Sequence, residues 1–278
     1  MSKLLHANFA RLKQDTFFWI GTVFMIVLGI LIPVTQYFEM KKYEWYTATL
    51  TNGFFIYVVF MAILSAVFCS LFTGTEYSDG TMRNKLITGH SRIDIYLANL
   101  IVSAAAVFIL CFAYILAYLC SGIPLFGFFP KESLPVILGF MGCSFVLSVA
   151  ITAICTAVAM LCQTKANTAV ICILGIFILI FFGAYTDSQL GMPEYYDTYF
   201  MGDDGEASDA APIPNPGYLR GTKREVFEFI HDFLPGNQVV QLSAMSATHL
   251  WKMSLYSALI AVSSTGLGVC LFWREDIK

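Results

Sequence analysis

Charge is missing from every long apolar stretch of this sequence. Only 13% of its 278 residues are Asp, Glu, Lys or Arg and 58% are hydrophobic, whereas soluble domains carry nearer a quarter charged residues. The net charge of -3 comes without any basic run, which excludes a nucleic-acid-binding surface read from charge. Proton-driven transporters and intramembrane enzymes keep ionisable groups inside the bilayer, where their cost marks a function. None stands within the apolar windows here. The four histidines, His6, His90, His231 and His249, fall in connecting segments and form no His-Glu-x-x-His pattern. A Gly-x-Ser-x-Gly elbow and a phosphate-cradling Gly-x-x-x-x-Gly-Lys-[Ser/Thr] loop are both absent. Active transport by this chain therefore requires energy delivered by another one. Cys-x-x-Cys is also missing, and the eight cysteines lie in or beside apolar windows, so they read as small packing residues without disulfide or metal.

What is present is long hydrophobic sequence. Six windows suffice to cross a hydrocarbon core, which takes roughly 20 helical residues: Thr16 to Thr35, Gly53 to Phe72, Tyr96 to Ser121, Leu134 to Cys162, Thr168 to Tyr185 and Ser254 to Trp273. The expected fold is an all-α polytopic membrane protein with six transmembrane helices. The fourth window exceeds a bilayer's need and predicts tilt, a kink or protrusion. Lys and Arg of the short loops collect on one side, at Lys3, Arg11, Lys13, Arg83, Lys85, Arg92, Lys165, Arg274 and Lys278. The opposite short loops hold Lys41, Lys42 and Lys131. The positive-inside rule then places both termini in the cytosol. The first span reads as retained, since no small-residue cleavage pattern follows it.

Two segments divide the chain further. Residues 1–15 read as an amphipathic helix with Leu5, Phe9 and Leu12 on one arc and Lys3, Arg11 and Lys13 pointing elsewhere, a pattern that lies along the inner leaflet. Residues 16–278 form the six-span body. Within it, the cytoplasmic loop 73–95 concentrates charge. Asp79-Gly80 marks a turn, Thr81 caps a short helix over Met82 to Thr88, and Gly89 stops it. Met82 and Leu86 share a face, flanked by Arg83 and Lys85, which suits a partner's groove. Ser91-Arg92-Ile93-Asp94 has capping-box form and opens the third span at Ile95.

The pattern Glu76-x-x-x-Gly80-Thr81-x-Arg83-x-x-Leu86, followed by Ser91-Arg92 and a long apolar helix, resembles the cytoplasmic loop of type-2 ATP-binding cassette permeases. Gly89-His90 stands where many relatives place a proline before the Ser-Arg pair. The resemblance implies that loop 73–95 carries a coupling helix resting on a separate ATPase. Glu76, Gly80, Thr81, Met82, Arg83, Lys85, Leu86, Ser91 and Arg92 would form the coupling set. It also implies an N-terminal elbow helix, two ATPase copies that bind ATP and Mg, and a second permease, identical or homologous. This chain would hold no cofactor. Similarity to bacterial antimicrobial-peptide exporter permeases implies the bacterial cytoplasmic membrane and export of an amphiphilic substrate such as a peptide antibiotic, drug or lipid. A ligand-sensing membrane protein without transport, or a channel, is the alternative.

The extracellular segment 186–253 lies between the fifth and sixth spans. Its first half is acidic, with Asp203, Asp204, Glu206 and Asp209, and passes through Ala211 to Gly217 as an extended, mobile chain. Thr222-Lys223-Arg224-Glu225 is a capping box for an amphipathic helix closed by Pro235-Gly236, and a further helix from about Asn237 to Lys252 leads into the last span. Phe227, Ile230 and Phe233 on the first of these helices form the expected extracellular gate, the family's corresponding stretch often re-entering the outer leaflet. Small residues at Gly21, Gly29, Ala62, Ala66, Gly175 and Gly183 offer close helix approach.

Overall fold

The computed structural model describes residues 1–43, 45–201 and 207–274, the strands between 197 and 212 by backbone alone. Every apolar window is helical, apart from Gly53 at the head of the second, where a 3-10 turn over Phe54–Ile56 leads into the α-helix, and the helices extend beyond the window at one or both ends in all but one case. The elements are α1 (Ser2–Gln14), α2 (Thr16–Lys42), α3 (Tyr57–Ser78), α4 (Thr81–Ile87), α5 (Arg92–Phe126), α6 (Leu134–Cys162) and α7 (Lys165–Leu190). After them come β1 (Tyr195–Met201), β2 (Ala207–Pro214), α8 (Thr222–Phe233), α9 (Pro235–Ser243) and α10 (Leu250–Arg274). The six long helices α2, α3, α5, α6, α7 and α10 each have the length and composition to cross a membrane. The longest is α5, at 35 residues, while α6 occupies its expected window without extension.

In lipid, helices associate through close packing and polar contacts rather than through the hydrophobic effect. The central helix is α3, which packs against α2, α5, α6, α7 and α9. Of its apolar window 61% is buried, against 17% for α10, which leans mainly on α6. Ala62 and Ala66 are fully buried on α3. Tyr57 of α3 meets the Ser144 hydroxyl of α6 at 2.6 Å, and Tyr114 of α5 donates to the Gly53 carbonyl at 2.9 Å. These bonds satisfy hydroxyls that apolar surroundings would otherwise leave costly.

A proline inside α2 is accommodated in the same way. Pro33 has no N–H for the carbonyl of Gly29, one turn earlier. Ser121 of α5 donates its hydroxyl to that carbonyl at 3.2 Å, a neighbour's repair of a broken ladder. A side chain at Gly29 would collide with the Tyr114 carbonyl at 2.7 Å, so α2 and α5 touch there backbone to backbone.

The segment between α7 and α10 departs from its expected form. Ala211 to Gly217 does not run as unpaired chain: β2 takes it as far as Pro214, antiparallel to β1 with Tyr195 opposite Pro214 and Tyr196 opposite Ile213. The strand-forming tyrosines of β1 supply the partner. Asp203, Asp204 and Glu206 lie outside the described residues. Thr222 does not cap α8; Gly221 occupies the cap position without a side-chain bond, and Thr222 is the first helical residue. α8 ends at Phe233, with Leu234 extended before Pro235, and Pro235 then opens a second helix, α9, at the position where its missing N–H costs nothing. The helix expected over Asn237 to Lys252 is split: α9 ends at Ser243 and α10 starts at Leu250.

Candidate functional site

Two glycines with positive φ define the polar loop. Gly80 at φ 66 lets the chain turn from α3 into α4, and Gly89 at φ 87 ends α4. There the Gly89 and His90 amides return to the carbonyls of Leu86 and Lys85 at 3.0 and 3.2 Å. Thr81 is not the cap; its hydroxyl reaches back to the Glu76 carbonyl at 3.1 Å. Ser91 does cap α5, accepting from the Asp94 amide at 3.1 Å, so that helix begins at Arg92 rather than Ile95.

Glu76, in the last turns of α3, is fully buried. Its Oε1 accepts from Arg11 of α1 and from Lys85 of α4. Its Oε2 accepts from the Asn99 amide of α5 at 2.8 Å. Asn99 in turn accepts from Asn8 of α1 at 2.6 Å, and Asn8 accepts from Lys85 at 2.9 Å. Arg11 also stacks on the Phe72 ring at 3.6 Å and donates to the Phe72 carbonyl at 2.8 Å. One carboxylate thus joins four helices. Burial pulls the Lys85 ammonium below its ordinary range, and the Glu76 carboxylate opposes that pull.

The same geometry corrects which side of α4 faces out. Met82 is buried among Leu4, Ile95, Tyr96, Met160 and Phe272, and Leu86 packs on that cluster. They form no apolar tip. Thr81, Arg83 and Asn84 are exposed, as is Ile87 at 73%. Arg92 donates to the Phe272 carbonyl at 2.8 Å and so ties α5 to the end of α10. Loop α3–α4, α1, the end of α10 and the start of α5 therefore gather at one end of the bundle.

On α1, Leu4, Asn8 and Leu12 are buried, and Leu5 and Phe9 pack beside Phe18, Phe68, Phe72, Val102 and Ala106. The apolar arc rests on protein, and Arg11 does not point away from it but reaches Glu76. Asp15 caps α2 by accepting from the Phe18 amide at 2.8 Å, which fixes the bend between α1 and α2.

The model of the family described as ABC-2 family transporter protein matches residues 4–184. The chain belongs to that family. Neither curated proteins nor solved structures yield a match. Members are membrane components of transporters, and membership implies association with an ABC ATPase. The matched stretch runs from α1 into α7 and includes the whole Glu76 network.

At the opposite end of this ABC-2 permease, α9 is inserted among α3, α6 and α7. Pro235 through Val239 are buried. A Cβ on Gly183 would meet the Gly236 carbonyl at 2.8 Å, so α7 and α9 touch along their backbones. Gly175 faces open space and makes no such contact, and Gly21 makes only an ordinary one with Leu110. Asn237 donates to Thr186 at 2.6 Å and Gln241 to the His231 carbonyl at 2.6 Å. Phe227, Ile230 and Phe233 are each half-buried on α8. Phe233 stacks on Phe229 and meets Tyr256 of α10 edge-on at 5.5 Å.

Asn8, Arg11 and Asn99 were not singled out by sequence as partners of Glu76. A signal was present. Asn8 interrupts Leu4 and Leu12 at four-residue spacing, and Asn99 stands alone near the start of an apolar helix. Polar residues on an otherwise inward-facing stripe are retained where they find partners.

Proposed function

We propose that this chain is the permease half of an ATP-driven exporter of the bacterial cytoplasmic membrane, with both termini in the cytosol. Two ATPase subunits bind ATP and Mg and a second permease, identical or homologous, completes the path. The cargo is amphiphilic, such as a peptide antibiotic, drug or lipid, because the spans offer apolar rather than charged walls. Loop 73–95 receives the ATPase's motion, and the exposed face of α4, with Arg83 and Ile87, makes the contact.

The observation that carries this reading is the burial of Glu76 between Arg11, Lys85 and Asn99. A seven-residue helix on a flexible loop would yield under load. Here Lys85 fastens α4 to α3 through Glu76 and to α1 through Asn8 by charge-assisted bonds, and Glu76 in turn accepts from Asn99 of α5, so displacement of α4 shifts whole spans. That is the bistable element a nucleotide cycle needs to bias. Phe227, Ile230 and Phe233 act as the gate at the far end, with α9 as the wedge beneath them.

The test separates docking from transmission. Arg83→Glu with Ile87→Asp is expected to abolish co-purification with the ATPase, while the permease still reaches the membrane. Glu76→Gln is expected to retain the ATPase yet lose cargo-stimulated hydrolysis and movement of cargo into vesicles. Undiminished association of the first variant would sink the proposal.

A further inference from the structure

Beneath α8 lies a cavity of about 530 Å³, bounded by the end of α7, by α9 and by the first turns of α10. Arg224 and Lys252 are the Arg and Lys side chains of its lining, and Arg224 bonds Glu228 at 2.9 Å. Asp232 lies 3.7 Å from His249 and Asp187 of α7 lies 3.1 Å from His231, contacts that pair charge only when the imidazole is protonated. Lys252 has no ion-pair partner among the described residues. Phe229 and Tyr256 supply an aromatic wall.

The depth of this cavity in the membrane follows from its neighbours. Lys252 stands in the first turn of α10, beside Trp251, which is 68% exposed. Tryptophan and lysine at the head of a span mark the boundary between hydrocarbon and water. The roof, α8, buries none of its residues and exposes Val226 and Phe229, the form of a helix lying in the head-group layer. Below the cavity, Leu255 and Leu259 of α10 are exposed as an apolar track. A cation without a partner, at head-group depth, above an apolar track, matches an amphiphile with an anionic head.

We propose that this cavity is a site for the phosphate head group of an anionic phospholipid, with Lys252 as the charge that selects it and Leu255 and Leu259 carrying an acyl chain. The site is independent of ATPase docking and of which leaflet faces the cytosol. It is tested on the whole chain in nanodiscs holding equal phosphatidylglycerol and phosphatidylcholine, by native mass spectrometry of retained lipid. Wild type is expected to retain phosphatidylglycerol in preference, and Lys252→Gln to lower that preference about fivefold, as loss of one cation at a membrane surface does. Lys223→Gln on α8, outside the cavity, is expected to leave it unchanged. Should Lys252→Gln fail to fold, Ser246→Trp, which fills the cavity and keeps the lysine, is expected to lower retention likewise. Equal retention of both lipids by wild type, or an undiminished preference in the cavity variants, overturns the proposal. Displacement of the lipid by millimolar inorganic phosphate also overturns it, because the site would then take soluble phosphate groups rather than lipid.

Discussion

Asn99 gives its amide hydrogen to Glu76 at 2.8 Å while its carbonyl takes one from Asn8 at 2.6 Å. One side chain on α5 therefore links the carboxylate at the end of α3 to the first helix of the chain. Both bonds are buried, where an unmet polar group costs most.

Glu76→Gln removes the only carboxylate that faces Arg11 and Lys85 among the described residues. Breaking a fully buried pair costs about 3–5 kcal/mol; Arg11 and Lys85 are half-buried and partly solvated, so a smaller but measurable fall in Tm is expected. The double variant Glu76→Gln with Lys85→Met is expected to recover part of the loss, since it also removes one stranded charge. Thermal unfolding of the four-protein cycle checks this; a double variant worse than the sum of the singles would contradict it.

Lys85 titrates below its ordinary value of 10.5, through burial first, with Glu76 pulling upward and Arg11 adding to the fall. Between that lowered value and 10.5 the unfolded chain holds a proton that the folded chain has released. Stability is therefore expected to rise with pH across that window. Glu76→Gln removes the upward pull and extends the window to lower pH. Carbon-13 NMR of reductively methylated protein reads the titration directly, and a Lys85 midpoint at or above the other lysines would rule out the desolvation account.

Met82 and Ile87 are expected to differ sharply. Met82→Ala opens a cavity in a packed cluster and costs about 2–5 kcal/mol. Ile87→Ala, on an exposed face, stays within about 0.5 kcal/mol. Comparative Tm measurements in detergent decide, and equal shifts would mean that α4 is turned differently.

Gly236→Ala places a carbon 2.1 Å from the Leu179 carbonyl oxygen, which forces α9 out of its seat at a cost of about 1–3 kcal/mol. Gly175→Ala meets nothing within 4 Å and is expected to be neutral or slightly stabilising, as alanine favours helix. Protease accessibility of the α8–α9 connection reports the displacement. Identical behaviour of the two variants would remove the close backbone contact from the account.

The six spans were legible because bilayer thickness imposes a length and a polarity that any single window reveals. The family resemblance was legible in the spacing from Glu76 to Leu86. The facing of α4 was not. In a helix of seven residues an apolar pair such as Met82 and Leu86 reads equally as a tip for a partner or a root in the body. Only the positions of Leu4, Tyr96 and Phe272, distant in sequence, decide it. Glu76 illustrates the same limit: beside Asp79 and Arg83 it looks like part of a solvated loop, and its burial depends on Arg11 and Asn99 arriving from other helices. The break between α9 and α10 was hidden because Asn237 through Lys252 contains no proline or glycine to announce it.

The order in which these partners leave the ribosome has its own consequence. Asn8 and Arg11 emerge first, yet their counterpart Glu76 and the bridging Asn99 follow only after two spans have been threaded into the bilayer. The leading segment must wait at the membrane face, and the clasp snaps shut only when the third span is delivered.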